Sequence, residues 1–135
     1  MISGLTIAEA AFRTGLSIDT LRFYEKDDLL LRPVPRTATG HRRYGPDDLH
    51  WIEMVNRLRA TGMPIRDVRR YAALVRAGAG NERERLALLR QHRQFVLAQL
   101  AEVTDHLGAI DRKIGVYEDT VGLDLERTPA GEMVS

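Results

Sequence analysis

Arginines are the residues in this sequence best placed to do chemistry. Arg32, Arg36, Arg42 and Arg43, with His41, fall within a short stretch that contains no acid. A guanidinium stays charged and forks onto phosphate or carboxylate oxygens, so such a run suits an anionic partner. The competing reading is a solvated loop that happens to carry arginines. Of the 20 basic residues only Lys26 and Lys113 are lysine. That bias fits phosphate and base contacts, and it equally fits a GC-rich coding sequence.

The formal net charge of +1 conceals an asymmetry. Residues 1–80 carry 13 basic and 9 acidic side chains, whereas residues 81–135 carry 7 and 10. An anionic partner is therefore expected for the first part alone. The chain has no cysteine. This excludes disulfides, thiolate metal sites, cysteine nucleophiles and thiol redox sensing. No P-loop, nucleophile elbow, glycine-rich dinucleotide turn or His-Glu metal motif is present, so no enzyme activity is expected. His92 and His106 lie on one helical segment about 21 Å apart and cannot share a metal within one chain. No metal or cofactor is expected.

The 135 residues, 44% hydrophobic and 29% charged, suit one small globular domain with an appended helix. The start, from Met1 to Leu5, has neither a charged n-region nor an apolar h-region. No apolar run approaches the roughly 20 residues of a membrane span. A soluble, cytoplasmic protein with no membrane partner is expected.

The elements that must position the arginines follow from local pattern. Thr6-Ile7-Ala8-Glu9 reads as a capping box opening a helix that Gly15 stops. Ser17 caps a second helix running to about Lys26, with Leu16 stapled to Leu21. Two short helices across a glycine turn form a helix-turn-helix pattern. Pro33, Pro35 and Gly40 then break helicity, and two short strands with a turn near Thr39-Gly40 are predicted. Pro46, Asp47 and Asp48 open a third helix that ends at Gly62, and a fourth follows Pro64. Gly78-Ala79-Gly80 forms a break.

Asn81 is the expected cap of the longest helix. Spacings of 3 and 4 generate Leu86, Leu89, Arg93, Val96, Leu100, Val103, Leu107, Ile110, Ile114, Tyr117 and Val121. Only Arg93 interrupts this apolar seam, which has the period of a coiled coil. Gly122 is the predicted stop. Forty helical residues reach about 60 Å, and a lone apolar stripe of that length needs a partner, most simply a second copy. The intramolecular alternative, a helical hairpin, lacks a turn. The expected domains are 1–77, 78–122 (linker and dimerisation helix) and 123–135 (flexible tail).

Several ordered strings resemble one family. Ser17-Ile18-Asp19-Thr20-Leu21-Arg22-Phe23-Tyr24-Glu25, Leu29-Leu30, Arg36-Thr37-Ala38-Thr39-Gly40-His41-Arg42-Arg43-Tyr44, Asp48-Leu49 and Leu58-Arg59-Ala60-Thr61-Gly62-Met63-Pro64-Ile65 together look like the MerR family of bacterial transcription regulators. The resemblance covers residues 5 to about 76 closely, and the long helix in pattern. It implies a mainly α fold: a winged helix-turn-helix domain plus a long C-terminal dimerisation helix in an antiparallel coiled coil. It implies a homodimer that grips a pseudo-palindromic double-stranded promoter. An effector would make that dimer distort an overlong spacer, acting on RNA polymerase indirectly through the DNA.

The resemblance also assigns roles. Ser17, Thr20 and Arg22 start the second helix, where recognition residues meet the major groove. Arg22 either forks onto a base or phosphate or pairs with a neighbouring acid. Tyr24 either brings its hydroxyl to a phosphate or packs in the core, and Phe23 is assigned to the core. Thr6 adds a backbone contact or simply caps. Arg36, His41, Arg42 and Arg43 are the wing candidates, with Arg42 expected on phosphates and Arg43 against the domain. His41 stands where most members have an aromatic. Arg59 matches a phosphate-contacting position of the second wing, and Arg66 joins it. Leu86, Leu89, Val96, Leu100, Val103, Leu107, Ile110, Ile114 and Tyr117 are the dimer residues.

The signal is less defined. Without cysteine, the metal and electrophile sensing of some relatives does not carry over. Trp51 is either core or the wall of a pocket for an unidentified small apolar or cationic effector. The alternative is a ligand-independent repressor, or a DNA-architectural or excision-type factor.

Overall fold

A computed structural model describes residues 4–127 of the chain, with the side chains of 124–127 left aside. Five helices follow in order: α1 (Ile7–Thr14), α2 (Ile18–Lys26), α3 (Pro46–Ala60), α4 (Ile65–Arg76) and α5 (Glu82–Arg127). The expectation of a mainly α protein holds. Contacts divide the chain into two units, Met1–Arg93 and Gln94–Ser135.

In the first unit the short helices start and stop where local chemistry dictates. The Thr6 hydroxyl accepts from the Glu9 N–H at 3.1 Å, and the Glu9 carboxylate accepts from the Thr6 N–H at 2.9 Å. Both halves of the capping box are thus made. Gly15 ends α1 at φ +73, a left-handed conformation that costs glycine little. Ser17 caps α2 by accepting from the Thr20 N–H at 3.0 Å. The helix pair leads into a core where Leu21, Leu29, Ile52, Val55 and Val68 lose all contact with solvent. α1 packs on α2 and α3, and α3 on α4.

Residues 32–44 differ from expectation. No strand forms among the described residues; the segment is a hairpin with one isolated bridge, Arg36 to Arg42. The Thr37 N–H donates to the His41 carbonyl and the Arg43 N–H to the Pro35 carbonyl, both at 2.8 Å. Pro33 and Pro35 have no N–H to extend that ladder, so pairing stops after one rung. Gly40 turns the tip at φ +84. A second bridge, Leu5 to Tyr44, ties the base of the hairpin to the segment before α1.

α5 departs from expectation at both ends. The Asn81 side chain donates to the Leu74 carbonyl at 2.8 Å and accepts from Arg85 Nε at 2.6 Å, so its amide braces the linker instead of capping. Gly122 does not stop the helix, which runs on to Arg127. A glycine stop requires positive φ, which Gly122 does not adopt, and an interior glycine costs only about 1 kcal/mol. Residues 123–127 of the expected tail are therefore helical; residues 128–135 lie outside the described residues.

The first turns of α5 belong to the first unit. Leu88, off the predicted seam, is buried, and Leu89 packs against the domain core. Leu89 was expected at the dimer seam. It serves its own domain, packing against the core cluster beside the buried Leu88. His92 Nε2 lies 2.7 Å from the Thr61 hydroxyl. In the second unit Leu100, Val103, Leu107, Ile110, Ile114, Tyr117 and Val121 are each about half exposed or more.

Candidate nucleic-acid interface

Three elements of the first unit converge on one recess. Thr6 and Ile7 open α1, Arg22 stands on the exposed side of α2, and Gly40, His41, Arg42 and Arg43 come from the hairpin. Together they line a concavity of about 370 Å³. Four of those seven residues are cationic or histidine. Such a surface attracts anions.

Local hydrogen bonds set what each member offers. Ser17 and Thr20 hydroxyls lie 2.8 Å apart and also secure the α2 start, so both face the same exposed end. Arg22 reaches Asp19 only at 3.9 Å, and both side chains are well exposed. An exposed pair of that length contributes little, which leaves the guanidinium available. At α1, the carboxyl of Glu9 is held below the usual carboxylate range, first by the Thr6 backbone N–H, then by the Thr6 hydroxyl, with the Arg43 charge helping.

The hairpin is anchored by a residue that the sequence reading treated only as part of a motif. Glu25, near the end of α2, accepts from the Val34 N–H at 2.7 Å, from Arg42 Nε at 2.8 Å and from Arg36 Nη2 at 3.1 Å. Its side chain is only 13% exposed. A nearly buried carboxylate needs counter-charges, and Arg36 and Arg42 supply them. Arg42 therefore leaves the outward face expected of it. Strand-like alternation puts Arg42 on the side of Tyr44, and Tyr44 is core. Arg42 turns inward to Glu25, while Arg43 lies near the α1 capping box with Nη1 on the Arg42 carbonyl at 3.2 Å. His41 stays exposed at the tip, its Nδ1 2.9 Å from the Thr39 hydroxyl.

Phe23 leaves the core place expected of it, and Tyr24 takes the core alternative. Tyr24 is core at 4% exposure, whereas Phe23 is 42% exposed. The turn of α2 that buries Leu21 buries Tyr24 three residues on and turns Phe23 outward. Burial pushes the Tyr24 hydroxyl pKa up, against the opposing charge of Arg59. Arg59 donates to the Met63 carbonyl at 2.6 Å, holding the corner between α3 and α4. Arg66, on the first turn of α4, is highly exposed and only 4.0 Å from Asp67. Arg59 and Arg66 do not line the recess formed by α1, α2 and the hairpin; they belong to the second corner.

Trp51 is half-buried. Its indole N–H donates to the Leu29 carbonyl at 2.8 Å, and its ring stacks on Tyr71 with centroids 5.6 Å apart. Nearby, Arg32 grips Asp48 through two bonds of 3.1 and 3.2 Å, while Asp48 also accepts from the Gly45 N–H. Among the described residues no cluster of three or more His, Asp or Glu could hold a metal. No helix among them is long and apolar enough to cross a membrane.

Comparison with known proteins places these features. A family described as MerR HTH family regulatory protein matches residues 5–74. An HTH-type transcriptional regulator of Haemophilus influenzae is 36% identical over 118 residues, covering 87% of each chain. A crystal structure of HiNmlR, described as a MerR family regulator lacking the sensor domain and bound to promoter DNA, is 35% identical. It superposes with a TM-score of 0.76 over 88% of this chain and 94% of that one. A MerR family transcriptional regulator from Listeria monocytogenes gives the same TM-score at 30% identity, covering 93% and 100%.

Proposed function

Because this chain belongs to the MerR HTH family of regulatory proteins, we propose that it binds double-stranded promoter DNA as a homodimer. The observation that carries this is the convergence of Thr6, Arg22, His41, Arg42 and Arg43 in one exposed basic recess. The promoter-bound relative, similar over nearly its whole length, supports it.

In this reading α2 lies in the major groove, with Ser17, Thr20 and Arg22 leading. Arg22 reads a base edge or grips a phosphate. His41 and Arg43 reach the flanking backbone, while Arg36 and Arg42 brace the hairpin through Glu25 and add their charge from behind. Arg59 and Arg66 hold phosphates from the second corner, and Tyr24 supports that corner from the core. Phosphate contacts of this kind position the protein; base contacts specify the site.

The half-exposed α5 residues from Leu100 to Val121, with Leu86 and Val96, supply the seam for an antiparallel second copy. Two recognition helices held in this way match a pseudo-palindrome. Binding that bends and untwists the promoter spacer changes transcription by RNA polymerase without a direct contact. A small molecule is the first reading of the signal, thiolate chemistry being absent from a chain without cysteine. The relative lacking a sensor domain favours a second reading, regulation without any ligand. A gel shift on the DNA upstream of the protein's own gene tests the proposal. Dimeric, salt-sensitive retardation of an inverted repeat supports it, and no retardation at low salt contradicts it.

A further inference from the structure

The outward face of α2 carries four exposed residues, Asp19, Arg22, Phe23 and Lys26, and Phe23 alone of them is apolar. At 100° per residue, Asp19 and Lys26 stand opposite the buried Leu21 and Tyr24. Arg22 and Phe23 flank that ridge, one on each side. The Phe23 ring leans on the buried Tyr24 ring, with centroids 6.4 Å apart at 54°. Its inner side is thus covered, and the rest is open to solvent. A ring held along one side has little freedom to lose when the other side is covered.

The patch is continuous with the basic recess. Arg22, the neighbour of Phe23, lines that recess with Thr6, His41 and Arg43. Phe12 is more exposed still, but it belongs to α1 and does not line the recess.

The major groove narrows what Phe23 can meet there. Base edges present donors and acceptors in that groove, with one apolar exception, the C5-methyl of thymine. A phenyl has no donor or acceptor to offer. Pressing it on a polar edge strips water from that edge and replaces nothing. Covering a methyl removes apolar surface from water on both sides of the contact, which is favourable.

We propose that Phe23 is a specificity-determining residue that reads one thymine in each half-site through its C5-methyl. The inference rests on the reading of α2 as the helix in the major groove and deepens it. Arg22 supplies the charged contact on one flank of the helix, and Phe23 supplies the apolar contact on the other.

The inverted repeat retarded in the gel shift is resynthesised with single thymines replaced by deoxyuridine, which removes the methyl and leaves base pairing intact. The full-length protein is titrated at low salt, where phosphate contacts keep binding measurable. Replacing the contacted thymine is expected to weaken binding about fourfold in one half-site and about fifteenfold in both, the effect of one buried carbon at each. Phe23→Ala is expected to bind the thymine and uracil duplexes equally. Phe23→Leu, which keeps an apolar group in place, is expected to retain the difference, and so is Phe12→Ala. The deoxyuridine series uses the unaltered protein, so it stands whether or not a variant folds. A series in which no thymine shows methyl dependence overturns the inference, as does a dependence that survives in the Phe23→Ala protein. Retardation without methyl dependence removes only the Phe23 contact, whereas no retardation of any duplex removes the DNA reading itself.

Discussion

At the scale of single residues, the surface divides into arginines with structural partners and arginines without. Arg36 and Arg42 are committed to Glu25, whereas Arg22 has only a long, exposed contact with Asp19. Replacing Arg22 by alanine is expected to weaken DNA binding by about 1–3 kcal/mol with stability unchanged. Unchanged affinity in a titration of the folded variant would remove Arg22 from the interface. Glu25→Ala acts on the fold. It strips a nearly buried hub of three hydrogen bonds, and a loss of about 2–3 kcal/mol in chemical denaturation is expected. Asp19→Ala, which breaks the exposed pair, is expected to cost close to nothing in the same assay. Glu9 supplies a pH dependence. Its folded pKa is lowered from 4.5, so its contribution is present above that value and lost as pH falls through the folded pKa. The difference in thermal midpoint between the wild type and Glu9→Ala should be constant at neutral pH and close on acidification below about pH 4. A gap that persists there would mean the carboxylate charge is not what Glu9 contributes.

At the scale of elements, local signals were legible and facing was not. The Thr6–Glu9 box, the Gly15 stop and the Ser17 cap depend on residues within four positions, and they stand where the sequence put them. The outward turn of Phe23 and the inward turn of Arg42 depend on what packs behind them. Glu25 lies 17 positions from Arg42, and no periodicity announces that contact. The same holds for the clamp that α4 applies to the segment after α2. Arg69 grips Asp27 through its carboxylate at 2.6 Å and its carbonyl at 3.1 Å. Arg76 Nη1 donates to the carbonyls of Asp28 and Leu30 at 3.1 and 2.6 Å. Between these anchors Asp28 is the one non-glycine residue at positive φ among the described residues, a conformation aspartate tolerates. Arg76→Ala should therefore loosen the exit of α2. The expected outcome is a several-fold drop in operator affinity with the slope of affinity against salt unchanged, because no phosphate contact is lost. A reduced slope would instead make Arg76 a phosphate ligand.

At the scale of the whole molecule, the heptad pattern made the long helix legible and misjudged its limits. Periodicity reports which residues share a face, but not which of them a nearby domain will claim. Leu89 is taken by its own core. From Leu100 onward the apolar stripe is exposed in a single chain, which is the physical basis for proposing a second copy. The asymmetry of charge has the same division of labour: the basic first part carries the recess, and the acidic second part carries the seam. The measurement that tests the central claim most directly is the affinity and stoichiometry of the full-length chain on its inverted repeat, taken between roughly 50 and 200 mM salt. The account predicts two chains per site and an affinity that falls steeply and linearly on logarithmic axes. One chain per site, or an affinity indifferent to salt, would contradict it.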